Sequence, residues 1–138
     1  MENVLASPTP LAAPGARTSL WIGRVLTGLI VAFLVFDAIG KLIVIGPALE
    51  GTRELGYAVS VIRPLGLVLL VSTLLHVVPR TQLLGAVLVT AYLGGATATH
   101  VRVGQPFWFP VAMGILLWIA FYLRNPRLRA LVIAPPAP

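Results

Sequence analysis

Four long apolar runs, over residues 20–45, 62–78, 82–103 and 107–123, dominate the sequence and leave only short connections between them. A helix needs about 20 largely apolar residues to cross roughly 30 Å of hydrocarbon. The chain is 58% hydrophobic and 10% charged, with a mean hydropathy of +0.96, whereas soluble domains usually carry roughly 25% charged residues. A soluble globule has no way to hide that much apolar surface. The runs therefore predict an all-α integral membrane protein, an antiparallel four-helix bundle in which short turns make neighbouring spans run in opposite directions. With 138 residues, the chain has room for one such unit.

Punctuation between the runs supports this division. Residues 1–18 carry Pro8, Pro10 and Pro14 and no amphipathic period, and read as a disordered N-terminal tail. The acidic start at Glu2 and the length of the first run argue against a cleaved signal peptide. Gly46-Pro47 ends the first span, Pro79-Arg80-Thr81 turns the second into the third, and Gly104-Gln105-Pro106 turns the third into the fourth. Pro64 falls in the first turn of the second span, where its missing N–H does no harm. Residues 48–60, with Glu50, Arg53, Glu54 and Tyr57 at helical spacing, predict a short polar helix lying on the membrane surface as a lid. The membrane domain covers residues 19–129, and residues 130–138 form a proline-rich tail.

Orientation follows from the basic residues beside the spans. Arg17, Arg24, Arg80, Arg124, Arg127 and Arg129 gather on one side against Glu2, while Lys41, Arg53, Arg63 and Arg102 face Asp37, Glu50 and Glu54 on the other. The first side is expected to be cytoplasmic, with both termini, in a bacterial plasma membrane. The net charge of +6 is scattered between apolar runs, so it does not form the one basic face that nucleic acid requires.

Lipid tails are as apolar as leucine, so membrane helices associate where small residues let backbones approach. Gly28 and Ala32 in the first span, and the stripes Ala86, Thr90, Gly94 and Ala91, Gly95, Ala98 in the third, are expected to mark such seams. They put the third span at the centre, packing within the monomer, with a homodimer seam as the alternative. Trp21, Tyr122, Trp108 and Tyr57 fit interfacial belts.

Few residues can carry chemistry. Asp37 lies sixteen residues after Trp21, about 24 Å along the helix and still within the membrane. It has Lys41 one turn later, the favourable order for an acid and a base. The pair is either a structural lock or part of a ligand or proton site. His100 and Arg102 close the third span, at the same end. Asp37, Lys41, Glu54, Arg63, His100, Arg102 and Gln105 are therefore expected to converge on one polar mouth, able to hold the head of a quinone, isoprenoid or lipid while its tail lies between helices. A hydrogen-bonded plug is the structural alternative. His76, at the other end of the second span, reads as a packed or interfacial histidine. It lies roughly 28 Å from His100 along the bundle, which disfavours a haem clamped by both and the usual zinc clusters. With no cysteine, the chain holds no disulfide, thiolate site or dithiol relay. Ser72 and Thr73 read as helix-bonded structural residues.

Gly23-Arg24-Val25-Leu26, the Asp37 and Lys41 pair, Ile62-Arg63-Pro64-Leu65-Gly66 and Gly94-Gly95-Ala96-Thr97-Ala98-Thr99-His100-Val101-Arg102 together resemble the DoxX-like family of small bacterial four-helix membrane proteins. The resemblance runs from about Leu20 to Arg129. It implies a plasma-membrane protein of four spans, and some relatives are linked to membrane redox complexes, including thiosulfate oxidation coupled to quinone. Without cysteine, sulfur chemistry would need a partner protein. The leading expectation is an accessory, non-catalytic subunit of a membrane redox or quinone-linked system, with no cofactor of its own beyond a bound quinone or lipid. The alternatives are a small membrane isomerase or oxidoreductase using Asp37 or Glu54 with His100, and a transporter. A transporter fits less well because the polar residues stop at one mouth.

Overall fold

A computed structural model describes residues 14–133, all of whose regular structure is helical. The helices are α1 (Pro14–Ile43), α2 (Gly46–Glu54), α3 (Val59–Val77), α4 (Gln82–Arg102), α5 (Trp108–Arg124) and α6 (Pro126–Ile133). The tails expected at 1–18 and 130–138 lie outside the described residues over 1–13 and 134–138. Their inner ends are helical. Among the described residues α1 runs from Pro14. Asn125 accepts from the backbone N–H groups of Arg127 and Leu128 at 3.0 and 3.2 Å, and so caps α6 with Pro126 behind it.

Other boundaries shift for local reasons. α3 begins three residues before the expected start, which leaves Pro64 inside the helix instead of in its first turn. α1 ends at Ile43 because Val44 takes a left-handed φ of 56° and Gly46 follows at 62°. A β-branched residue rarely adopts that conformation.

The four long helices contact one another in a cycle: α1 packs on α3 and α5, and α4 packs on the same two. α2 leans on α1 and α3, and α6 on α5. The backbones of α1 and α4 do not meet, so α4 is no more central than its neighbours. The core consists of Ile30, Leu34 and Ala38 from α1, Leu69 from α3, Ala86, Val89 and Leu93 from α4, and Met113, Leu117, Ala120 and Phe121 from α5. Their three- and four-residue spacing puts one face of each helix inward. The outward faces are just as apolar, with Phe36 73% and Leu29 66% exposed. Such a surface is stable against lipid and not against water.

Three helices, over Arg17–Ile43, Val59–Val77 and Gln82–Arg102, are long and apolar enough to cross a membrane. α5 has 17 residues, about 25 Å of rise, and α6 leaves it at 102°.

Glycine does set the close approaches, but at different positions from those expected. A Cβ on Gly66 would lie 2.8 Å from Lys41 Cβ and 2.9 Å from the Ala38 carbonyl, at the α1–α3 crossing. One on Gly85 would collide with the backbone of Leu75 and His76, at the α3–α4 crossing. At the α1–α5 crossing, one on Gly23 would lie 3.0 Å from Leu123 Cβ. Gly28, Gly94 and Gly95 have nothing within 4 Å, and Ala32, Ala91 and Ala98 are exposed. Of the two α4 stripes only Ala86 is buried in a seam.

These contacts order the glycines by tolerance. Gly85→Ala is expected to lower stability by roughly 1–3 kcal/mol or more, because backbone must move to admit the methyl group. Gly28→Ala is expected to leave it unchanged or slightly raised. Thermal unfolding of both variants in the same mild detergent checks this; equal midpoints would show that α3 and α4 do not cross at Gly85.

Candidate functional site

At the α2 end of the cycle lies a cavity of about 350 Å³, bounded by α1, α4, the start of α5 and the lid. Its walls are apolar: Phe33, Leu34, Leu55, Leu65, Leu93, Phe109 and Pro110. Its polar lining is Asp37, Lys41, Thr52, Tyr57, Tyr92, Thr99 and His100. The space exists because α4 turns Ala91, Gly95 and Ala96 toward it, so that Ala91 and Gly95, expected to bring helices together, instead hold a gap open.

Lys41 donates from its ammonium to both carboxylate oxygens of Asp37, one helical turn away. The lysine side chain is 11% exposed and the aspartate 27%, so the base is the more deeply desolvated partner. Two of the three ammonium protons are engaged with the carboxylate, which leaves a third for another acceptor.

The lid contributes through its inner face. Thr52 is buried and bonds back to the Ala48 carbonyl at 2.6 Å. After α2 ends, Gly56 turns the chain at φ 84°, and Tyr57 swings inward. Its hydroxyl lies 2.9 Å from Thr99 Oγ1. Thr99 Oγ1 itself lies 2.9 Å from the Gly95 carbonyl, to which it donates its only proton, so Tyr57 is the donor in their bond and its remaining lone pairs are free to accept. Tyr57 is thus part of the cavity and not of an interfacial belt. Trp108 and Trp21, also expected in the belts, are 69% and 64% exposed.

Of the seven residues expected at the mouth, Asp37, Lys41 and His100 line the cavity together. His100, on the last turn of α4, has its Nδ1 buried with no hydrogen-bond partner among the described residues. Arg102 is exposed and acts from outside, donating from Nη2 to the Leu55 carbonyl at 3.0 Å and tying the end of α4 to the lid. Glu54, Arg63 and Gln105 do not line the cavity. Glu54 and Arg63 point to the exterior, Glu54 because α2 turns its charged face outward and buries Thr52.

Sequence reasoning missed Thr52, Tyr92 and Thr99. Tyr92 sits within the apolar third run and is within electrostatic reach of Asp37 and Tyr57. A signal was present, since residues 92, 96 and 99 share one helical face with His100 beside it. His76, as expected, is packed: it is buried, contacts Phe121 edge-on at 5.6 Å, and has Nδ1 3.1 Å from the Gln82 carbonyl. Ser72 and Thr73 bond back to the carbonyls of Val68 and Leu69.

A larger groove of about 660 Å³ runs between α4 and α5 past Gly94, Thr97, Gly114 and Tyr122. It is open along its length, and its few polar groups are Thr90, which accepts from the Trp118 indole N–H at 2.8 Å, Thr97, which bonds back to the Leu93 carbonyl, and Tyr122. It holds no ionisable cluster.

An all-helical membrane protein with an ion pair, a phenol and an imidazole under a surface lid is the class that fold and site define together. The sequence profile of the DoxX-like family matches residues 25–122, and the chain belongs to that family. No curated protein and no solved structure matches it.

The ion pair makes an asymmetric demand on stability. Asp37→Ala leaves a buried ammonium without its counterion and is expected to cost up to the roughly 3–5 kcal/mol of a broken buried pair, less for the carboxylate's partial exposure. Adding Lys41→Met should restore most of the loss. Thermal unfolding of the single and double variants tests this, and a double variant no more stable than Asp37→Ala would contradict it.

Proposed function

We propose that the chain is an accessory subunit of a quinone-linked membrane system, and that its cavity binds the polar head of a quinone or a similar lipid-like molecule. The observation that carries this reading is the buried, unpartnered Nδ1 of His100, in a cavity with apolar walls that also holds the Lys41 ammonium. A buried imidazole nitrogen without a partner is costly. A ligand carbonyl relieves that cost, taking one hydrogen bond from the imidazole and one from the third ammonium proton. The volume of about 350 Å³ falls at the lower end of the roughly 300–1,000 Å³ of ligand sites, which suits a head group whose tail leaves between α1 and α4.

Binding is favoured over turnover by the state of the groups. Asp37, the candidate base, is already held by Lys41, and Glu54 lies outside the cavity.

The topology we infer is four antiparallel spans, α1, α3, α4 and α5, in a bacterial plasma membrane. Both ends are cytoplasmic, the lid is on the outer face, and any redox partner docks from the membrane. Pairings between the start of one helix and the end of another support the antiparallel order: Gly23 with Leu123, Gly66 with Ala38, and Gly85 with His76. The six arginines at the end opposite the lid support the orientation.

Protein purified in mild detergent is expected to carry a quinone or prenyl lipid detectable by mass spectrometry. Its ratio to protein should fall roughly tenfold in His100→Ala, the effect of about 1.4 kcal/mol, and similarly in Gly95→Leu, which fills the cavity. Gly94→Leu, on the groove side of α4, should retain it. Unchanged occupancy in both cavity variants would remove the proposal.

A further inference from the structure

The end opposite the lid carries charge with no visible counterpart. Arg24, Arg124 and Arg129 lie at that end, while the three described carboxylates, Asp37, Glu50 and Glu54, lie on the last turns of α1 and on α2. Thirteen residues of α1 separate Arg24 from Asp37, about 20 Å of helix.

The crossing at Gly23 brings the cluster together. A Cβ on Gly23 would lie 3.2 Å from the Arg124 backbone nitrogen, so Arg24, the next residue, stands beside Arg124, and the two guanidinium charges repel. From α6, Arg129 folds back over the end of α5 and donates from Nη2 to the Leu123 carbonyl at 3.0 Å. Arg124 Nε and Nη2, and Arg129 Nε, are buried and have no hydrogen-bond partner among the described residues. A guanidinium stays charged and has only donors, so like charges and unsatisfied donors are concentrated at one point. An oxyanion relieves both at once, and arginine forks match its geometry.

The setting says which oxyanion. Trp21 is exposed beside Arg24, whose guanidinium carbon is 6.0 Å from the ring centre, and tryptophan marks the head-group level of a bilayer. α6 turns 102° from α5, which lays it along the surface if α5 crosses. Its last residues, Leu131, Val132 and Ile133, are 78%, 66% and 68% exposed, an apolar edge beside the arginines that suits acyl chains.

We propose that Arg24, Arg124 and Arg129 form a binding site for the phosphodiester of an anionic phospholipid, on the membrane face opposite the lid. The site shares no residue with the cavity, so either can fail without the other. It fixes the bend between α5 and α6 by giving the arginines of both helices a common partner.

The test uses the full chain in mild detergent, with thermal unfolding and native mass spectrometry after addition of phosphatidylglycerol, phosphatidylcholine or inorganic phosphate. Phosphatidylglycerol is expected to raise the midpoint and remain bound in the wild type, with the other two giving no comparable effect. Arg124→Gln with Arg129→Gln should weaken retention roughly tenfold, and the exposed Arg24→Gln, which leaves the packing untouched, should weaken it to a smaller degree. Arg63→Gln, at the lid end, should behave as wild type. Equal effects of phosphatidylcholine would overturn the proposal, as would an equal effect of inorganic phosphate, which would mark a free-anion site. Undiminished retention in Arg24→Gln would also overturn it, whether or not the double variant folds.

Discussion

Helices in hydrocarbon gain nothing from hiding apolar side chains from one another, so their distance is set by how closely backbones can approach. Gly23, Gly66 and Gly85 make three of the four crossings. Everything that distinguishes this molecule from a plain apolar bundle depends on that spacing. With α1 drawn onto α3 and α5, and α4 drawn onto α3, the backbones of α1 and α4 are left apart. Between them α4 offers Ala91, Gly95 and Ala96, and there the cavity lies.

Small residues thus have two opposite uses in one helix. Gly85 and Ala86 face neighbours and shorten a distance; Gly95 faces open space and preserves one. The two cannot be told apart by spacing, because glycine and alanine recur at the same intervals on the sides of α4 that meet a neighbour, line the cavity or face outward. For that reason the helices and most of their limits were legible from the sequence, while the seams were not. Hydropathy reports that a residue avoids water, and says nothing about whether it meets lipid or protein. The polar residues were easier, since a charge in a membrane span admits few arrangements. Asp37, Lys41 and His100 were found this way. Glu54, Arg63 and Gln105 were drawn in because they lie at the same end of the bundle, yet they do not line the cavity. Tyr57 was hidden by a glycine turn, since the helix that would have turned it outward stops at Glu54.

The two ends of the molecule handle polarity differently. At the lid end, a carboxylate, an ammonium, two phenols and an imidazole line one cavity, and Arg102 ties the end of α4 to the lid by donating to the Leu55 carbonyl. At the other end, arginines from α1, α5 and α6 crowd together without a described carboxylate between them. One end therefore satisfies most of its polar groups internally and leaves an imidazole nitrogen and one ammonium proton for a guest, while the other leaves guanidinium donors unpaired among the described residues. Both arrangements follow from the same scarcity, since a chain with four acidic residues in 138 has few counterions to spare.

The closure of the lid on α4 is the point on which the cavity stands, and the cysteine-free chain makes it accessible to measurement. Tyr57→Cys with Thr99→Cys, treated in native membranes with a short thiol-bridging reagent, should give an intramolecular bridge in high yield. Tyr57→Cys with Thr97→Cys, which faces the groove on the other side of α4, should not. Equal bridging of the two pairs, or none in either, would mean that the lid does not close over His100 and that the cavity is absent from the protein in its membrane.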